Sequence, residues 1–253
     1  MTLLELEEQI KSLYDVFFED MKIDKQTGIL EQKFRDRILR FSGLPYIGED
    51  YVNAPVKVLF IPLDTGADEL GKKNTYRDFD SRRDAVVGGD RQLDFESHMA
   101  GLYATALFIL KNGLGEQSSW DALWKCKDFK IKKAIKLVSD SLPKDLLKYV
   151  AYQNRYKFVT VGRSSDPSYK ERSGGKDRVW VNGKRLSELL MAEIEALSPD
   201  IIVFQGTDGL WNCHVGELKK KYQVAIAYHP SCYQKGADKL QYIVDKIGPQ
   251  LKL

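Results

Sequence analysis

Amphipathic stretches and short apolar runs follow one another along this chain. The first stretch repeats its apolar residues at helical spacing, at Leu3, Leu6, Ile10, Leu13, Phe17 and Met21. Similar patterns predict further helices around residues 31–39, 95–111, 120–138, 143–148, 186–197, 210–221 and 238–247. Four apolar runs predict buried strands at residues 56–61, 149–152, 201–204 and 224–227.

This order of elements predicts an α/β protein, with a three-layer α-β-α arrangement around a central four-stranded parallel sheet. Residues 158–161 are expected to continue the chain in extended form beyond a turn at Asn154. Residues 67–94 are polar and rich in glycine and arginine, so no regular element is predicted there. With 253 residues, of which 43% are hydrophobic, the chain is expected to form a single domain over residues 1–253. Residues 1–50 are interpreted as an N-terminal helical extension of that domain.

The composition indicates where in the cell the protein is expected and which kinds of metal or disulfide site are not expected. No run of about 18 apolar residues is present to span a bilayer, and the acidic start lacks the basic region of a secretory signal. A cytoplasmic protein without a membrane partner is therefore expected. Cys126, Cys213 and Cys232 are odd in number and widely spaced, which argues against a disulfide framework and against an iron-sulfur site. His98 and His214 lack acidic or thiol neighbours at ligand spacing, so neither a metal nor a cofactor is predicted.

Positive charge is concentrated in one segment, although the net charge of the chain is only +3. Between Arg155 and Arg185 basic residues clearly outnumber acidic ones, and several glycines and serines indicate a loop. Such a loop suits a phosphate backbone, because each neutralised phosphate releases a counterion. Lys170, Arg172 and Lys176 are the candidate phosphate contacts. A solvated loop with surplus lysines explains the segment equally well when it is taken alone.

Three polar peptides follow three of the predicted strands. They are Ile61-Pro62-Leu63-Asp64-Thr65-Gly66, Gln153-Asn154-Arg155-Tyr156-Lys157 and His229-Pro230-Ser231. Parallel strands deliver the residues at their carboxyl ends to one shared edge of the sheet. A carboxylate, an amide and an imidazole are therefore expected to converge on one crevice.

The order and spacing of these peptides resemble the uracil-DNA glycosylase superfamily. Residues 62–66 are similar to its first motif, residues 154–157 to the N-x-x-K of its thermophilic iron-sulfur branch, and residues 229–231 match its closing H-P-S motif. Residues 190–206 also resemble that branch. The chain departs from the family pattern at Pro62 and Thr65, lacks the cluster cysteines, and has Gly66 where the most uracil-restricted members carry tyrosine.

The resemblance implies a DNA glycosylase with a glycosylase-like fold, acting on uracil or a related deaminated base. Asp64 would stabilise the sugar cation and activate water, and His229 would donate to the departing base oxygen. Asn154 would read the uracil edge with both donor and acceptor atoms, near the backbone N–H groups of Leu63 and Asp64. Without the resemblance, Asp64 fits a turn cap, Asn154 a turn residue, and His229 a partly buried structural histidine.

Base flipping adds further candidates, because the target atom lies inside a duplex. Tyr233 follows the H-P-S motif, in which Ser231 is a further DNA contact, and Tyr233 is either the intercalating wedge or a surface tyrosine. Phe95 is preferred over Tyr76 and Phe79 as the aromatic that stacks on the flipped base. The implied partner is DNA containing uracil or another deaminated base, bound by a monomer.

Two other classes of function fit parts of the sequence. A non-catalytic protein that retains the glycosylase fold and binds nucleic acid or a nucleobase would explain Pro62 and Thr65. A metal-dependent nuclease is suggested only by Pro199-Asp200, and no E-x-K triplet follows on the next strand.

Overall fold

The structure is a computed structural model. It describes residues 1–32, 36–41, 44–62, 78–83, 102, 105–110, 146–163, 182–206, 212–228 and 243–253. The helices are α1 Leu3–Met21, α2 Phe79–Arg83, α3 Gly183–Leu197 and α4 Asn212–Lys221. The strands are β1 Arg37–Phe41, β2 Tyr46–Ile47, β3 Val58–Pro62, β4 Val150–Tyr152, β5 Phe158–Arg163, β6 Ile201–Gln205 and β7 Gln223–Ala227. Shorter helical turns lie at Tyr51–Asn53, Leu147–Tyr149, Ile243–Ile247 and Gly248–Gln250, and residues 105–110 are also helical.

Five strands form a mostly parallel sheet in the order β2-β4-β3-β6-β7. β6 and β7 are parallel, with Ile201 opposite Gln223 and Gln205 opposite Ala227. The predicted α/β class is confirmed. All four predicted strands lie in this sheet, but β2 makes it five-stranded rather than four-stranded. The two-residue β2 was missed because so short an apolar stretch carries no periodicity of its own.

The helix predicted around residues 31–39 is wrong for its described C-terminal part, where β1 forms instead. β1 pairs with β5 as a separate antiparallel ribbon, with Phe41 opposite Phe158 and an irregularity between Ile38 and Leu39. Leu39 and Phe41 are buried while Arg40 between them is not, which is the two-residue period of a strand. The expected extended continuation at residues 158–161 is thus the start of β5.

The chain divides into two compact units, and each is assembled from separate segments. Unit 1 comprises Met1–Ile47, Pro62–Val86 and Tyr152–Ser198, and unit 2 comprises Gly48–Ile61, Val87–Ala151 and Pro199–Leu253. The single domain over residues 1–253 stays a prediction. Residues 1–50, interpreted as a helical extension, contain α1 together with β1 and β2.

Unit 1 has an aromatic core between α1 and the antiparallel ribbon. The ring of Phe41 lies 5.2 Å from that of Tyr14, 5.0 Å from that of Phe18 and 6.0 Å from that of Phe158. α1 also packs against α3. Thr2 and Glu5 form a capping box that fixes the start of α1. The side chain of Tyr14, on the same helix, is fully buried.

Unit 2 carries its C-terminal segment along strand β7. The side chain of Gln250 accepts from the backbone N–H of Ile226 at 3.0 Å and donates to the carbonyl of Ile226 at 3.1 Å. Just before the neighbouring strand β6, the carboxylate of Asp200 accepts from the backbone N–H of Lys57 at 2.8 Å. These side-chain contacts satisfy backbone groups that the strands leave unpaired. In the part of the chain that the structure describes, no helix is both long and apolar enough to cross a membrane.

Gly48 supports a test of this packing in unit 2. A Cβ atom at Gly48 would collide with the backbone carbonyls of Leu147 and Lys148. We expect Gly48→Ala to lower the free energy of unfolding by about 1–3 kcal/mol, the usual cost of overpacking, as measured by urea denaturation. Gly216→Ala is the matched control, because a Cβ there meets no atom within 4 Å in helix α4. That control should leave stability unchanged or raise it, and an equal loss in both variants would contradict the close approach at Gly48.

Candidate functional site

Asn154 is the predicted site residue that falls within the described residues. The other predicted catalytic, base-binding and DNA-binding residues lie outside them, namely Leu63, Asp64, Gly66, Phe95, Lys170, Arg172, Lys176, His229, Ser231 and Tyr233. Their roles stay predictions. Asn154 follows β4 after one intervening residue and is only 4% exposed.

A backbone hydrogen bond joins the first and second candidate peptides within unit 1. The N–H of Arg155 donates to the carbonyl oxygen of Pro62 at 3.0 Å. Pro62 is the last residue of β3, and Asp64 follows it by two residues. β3 and β4 are neighbours in the sheet, and this hydrogen bond places the carboxyl end of β3 beside the residues that follow β4. Asn154 therefore lies beside the strand end from which the chain continues to Asp64.

The peptide that follows β4 is polar and yet buried. Gln153 is 0% exposed, Arg155 2% and Lys157 1%. Connecting segments normally lie at the surface, because buried polar groups must find partners. Neither polar atom of the Gln153 side chain has a hydrogen-bond partner in the described part of the structure. This strand end therefore holds polar groups in the interior of unit 1.

Lys157 and Glu193 form a buried ion pair that fixes the end of this peptide. The Nζ atom of Lys157 lies 2.7 Å from Oε1 of Glu193, and the two side chains are 1% and 0% exposed. The hydroxyl of Tyr14 donates to the same carboxylate oxygen. The ion pair links the segment after β4 to helix α3, and the tyrosine links both to α1. Lys157 thus has a structural role in positioning this peptide.

Burial governs the protonation of all three groups. It raises the pKa of Glu193, an effect that the nearby ammonium of Lys157 opposes. It lowers the pKa of Lys157, again against the attraction of Glu193, and it raises the pKa of Tyr14 well above its usual value. Each charge of the pair is therefore held mainly by the other, and Tyr14 remains a neutral hydrogen-bond donor.

Arg82 lies beside the last residue of β4. Its Nη2 atom donates to the hydroxyl of Tyr152 at 2.7 Å, and its guanidinium carbon lies 4.9 Å from the centroid of that ring. The Tyr152 ring is stacked on Tyr46, with ring centroids 5.5 Å apart. Arg82 is 5% exposed. A guanidinium group is therefore buried next to the strand end that leads to Asn154.

Sequence reasoning missed these buried charged residues, although two signals were present. Glu193 falls on the apolar face of α3, three residues after Leu190 and four before Leu197. Tyr14 falls on the apolar face of α1, four residues after Ile10. A carboxylate on an apolar stripe indicates a buried partner, because isolated charges are rarely buried. Nothing in the sequence identified Lys157 as that partner or indicated that Arg82 is buried.

The described residues include no group of three or more histidine, cysteine, aspartate or glutamate side chains that could hold a metal ion. Five cysteines and histidines were considered above as possible metal ligands. Of these, Cys213 and His214 fall within a described element, helix α4.

No protein-family model matches this chain, and no curated protein sequence matches it either.

Proposed function

We propose that this chain is a DNA glycosylase that hydrolyses the N-glycosidic bond of uracil or a related deaminated base in DNA. The observation that carries the proposal is the hydrogen bond from the N–H of Arg155 to the carbonyl of Pro62. It supports a shared site for the carboxylate of Asp64 and the amide of Asn154. The same proposal includes a glycosylase-like three-layer fold and a monomer in the cytoplasm.

The chemistry requires an anion near the sugar, a water molecule and a donor to the base. Cleavage of the bond builds positive charge on the sugar and negative charge on the departing base. In the proposal, Asp64 stabilises the sugar cation and orients the water, while His229 donates to the base O2. Two backbone N–H groups, of Leu63 and Asp64, add further donors to the same oxygen.

Base recognition is assigned to Asn154. A carboxamide presents one acceptor and two donors, which match the N3–H and O4 of uracil. An amide can select one base only if the protein holds that amide in a single position. The buried Lys157–Glu193 pair supplies that support three residues further along the chain.

DNA binding is assigned to residues beyond the described part of the chain. In the proposal, Phe95 stacks on the flipped base, Ser231 and Tyr233 contact the duplex, and Tyr233 fills the gap that flipping leaves. Phosphate contacts are assigned to Lys170, Arg172 and Lys176.

An excision assay on a panel of oligonucleotides tests the proposal. The purified chain is incubated with strands that contain uracil, thymine opposite guanine, hypoxanthine or only normal bases, and alkali then cleaves any abasic site. We expect cleavage at uracil without added metal. Binding of these strands without release of any base would favour a non-catalytic binding protein instead. Loss of activity with a chelator would favour a metal-dependent enzyme.

Gly66 supports a prediction about base choice. Glycine has no side chain to exclude a C5 substituent, so we expect wild type to tolerate 5-substituted uracils to some degree. Gly66→Tyr should lower kcat/KM for 5-substituted uracils relative to uracil by about 10-fold to 200-fold, the range for one methyl-sized group. Competition between the two substrates in one reaction measures this ratio. A wild-type enzyme that already rejects every 5-substituted base would show that another side chain fills the space.

A further inference from the structure

Arg82 and Arg83 are adjacent in helix α2 but have different partners. Arg83 pairs with the carboxylates of Glu7 and Asp80, both at 2.5 Å. Arg82 is more deeply buried, and its hydrogen bond is to the neutral hydroxyl of Tyr152. Its Nε atom is buried and has no hydrogen-bond partner among the described residues. The buried guanidinium thus has no carboxylate partner in the described part of unit 1.

Among the described residues, the buried side chains around Arg82 include no anion that is left to pair with it. Lys157 and Glu193 neutralise each other as an ion pair. Tyr14 is neutral, because burial raises its pKa. Arg82 is close enough to Lys157 for its positive charge to contribute to the lowered pKa of Lys157. The buried cluster of Tyr14, Arg82, Lys157 and Glu193 therefore has one cation more than it has anions.

An unpaired buried cation is unfavourable unless an anion binds to it. Removing a charged group from water costs several kcal/mol, so buried charges are normally paired. A guanidinium group offers five donors in a planar fork that matches the oxygens of a phosphate. In Arg82, Nη2 donates to Tyr152, whereas Nε has no partner among the described residues and is left to donate to a ligand.

The position of Arg82 indicates which phosphate it would bind. Tyr152 ends β4 and is followed at once by Gln153 and Asn154. Gln153 is itself fully buried, and its amide has no partner among the described residues, so this strand end has further unused donors. We infer that Arg82 is the core of an anion site which takes a backbone phosphate of the nucleic acid whose base Asn154 reads. The identity of this phosphate rests on the proposed function, whereas the anion site itself does not.

The anion site is tested with inorganic phosphate as the probe. The melting temperature is measured against phosphate concentration at constant ionic strength, for wild type, Arg82→Met and Arg83→Met. We expect phosphate to stabilise wild type and Arg83→Met, because ligand binding to the folded state raises stability. Arg82→Met should lose this response. Without phosphate, Arg82→Met should be at least as stable as wild type, since it removes an uncompensated buried charge.

Two results of the phosphate titration would overturn the anion site. The first is that phosphate stabilises all three proteins equally, and the second is that it stabilises none of them while Arg82→Met alone is strongly destabilised. The second result would mean that Arg82 has an anionic partner within the chain. If Arg82→Met does not fold, Arg82→Lys replaces it. That variant keeps the charge but loses the fork, so we expect a weakened phosphate response.

The source of the phosphate is tested with three uracil ligands, of which the first has a phosphodiester backbone, the second a single phosphate and the third no phosphate. These are a single-stranded uracil oligonucleotide, deoxyuridine monophosphate and deoxyuridine. We expect Arg82→Met to weaken binding of the oligonucleotide by about 10-fold to 100-fold, the range for a hydrogen bond to a charged group. Binding of deoxyuridine should not change. An Arg82-dependent effect confined to the free monophosphate would overturn the assignment to nucleic acid.

The failures of the two proposals are distinguishable. If phosphate protection depends on Arg82 but no base is released, the proposed function fails and the anion site stands. If uracil is released at the same KM by wild type and Arg82→Met, the proposed function stands and the inference about Arg82 fails. Where both hold, Arg82→Met should raise KM and leave kcat nearly unchanged, because the phosphate is bound equally in ground and transition states.

Discussion

Asp64→Asn is expected to lower the single-turnover rate of uracil excision by about 10²–10⁴, the range for a lost general base. The amide keeps the size of the side chain but can neither accept a proton from water nor balance the positive charge on the sugar. His229→Ala is expected to lower the same rate by about 10²–10³, because one donor to the departing base oxygen is lost. Single-turnover assays at saturating enzyme isolate the chemical step from product release.

Matched controls separate these losses from changes in folding. Asp24→Asn removes a carboxylate from the turn after α1, where Asp24 accepts from the N–H of Thr27 at 2.6 Å. His214→Ala removes a histidine from helix α4. Both controls should excise uracil at the wild-type rate, and the two site variants should still bind DNA. A wild-type rate for Asp64→Asn would remove Asp64 from the mechanism.

Lys157→Met is expected to lower the free energy of unfolding by about 3–5 kcal/mol, the cost of leaving one member of a buried ion pair without its partner. Glu193 would then be buried with only the hydroxyl of Tyr14 as a partner among the described residues. Urea denaturation monitored by circular dichroism measures the loss. Lys11→Met is the matched control, because Lys11 pairs with the exposed Glu8 at the surface. Its effect should stay within about 1 kcal/mol.

The pH dependence of this loss has a defined sign. In Lys157→Met, the pKa of Glu193 should rise further above its unfolded value, because the opposing ammonium is gone. A carboxyl group with a raised pKa in the folded state favours folding at low pH and loses that contribution as pH rises. The stability deficit should therefore be smaller at mildly acidic pH than at neutral pH. A deficit that does not depend on pH would mean that Glu193 keeps its charge by other contacts.

Replacing Tyr14, Lys157 and Glu193 together tests whether these three groups act as a unit. The triple variant Tyr14→Phe, Lys157→Met and Glu193→Leu removes both charges and the hydroxyl that donates to the carboxylate. Hydrophobic replacement of a complete buried ion pair is often neutral or stabilising. We expect the triple variant to recover most of the stability that Lys157→Met loses. An additive loss across the three substitutions would contradict that coupling.

Long periodic elements could be predicted from the sequence because their pattern repeats. The apolar residues of α1 and of β3, β6 and β7 predicted these elements within a few residues. Helix α3 begins at Gly183, three residues before the predicted start at Leu186. Asn182 explains the difference, because its side chain accepts from the N–H of Arg185 and caps the helix one turn earlier.

Elements that depend on distant partners could not be predicted in the same way. β1 was mistaken for a helix because its apolar residues are few, and its partner β5 lies more than a hundred residues away. The alternation of buried and exposed residues around Leu39 and Phe41 favours a strand over a helix only because β1 pairs with β5. β2 is fixed by its place beside β4 in the sheet.

The candidate site could be predicted only as a set of strand ends. Parallel strands indicate that Asn154 and the continuation of β3 share an edge, and the bond from Arg155 to Pro62 agrees with this within unit 1. The supporting charges could not be found, because the pairing of Lys157 with Glu193 depends on how α3 packs. The same is true of Arg82, whose contact with Tyr152 joins residues 70 positions apart.

The most direct test of the proposed glycosylase is the release of the free base. Wild-type protein in excess is incubated with a single-stranded oligonucleotide that carries one uracil, in the presence of a chelator, and the free uracil is quantified. We expect about one uracil per strand, with an alkali-labile site at the same position. An oligonucleotide that stays intact, although the folded protein binds it, would contradict the proposed activity.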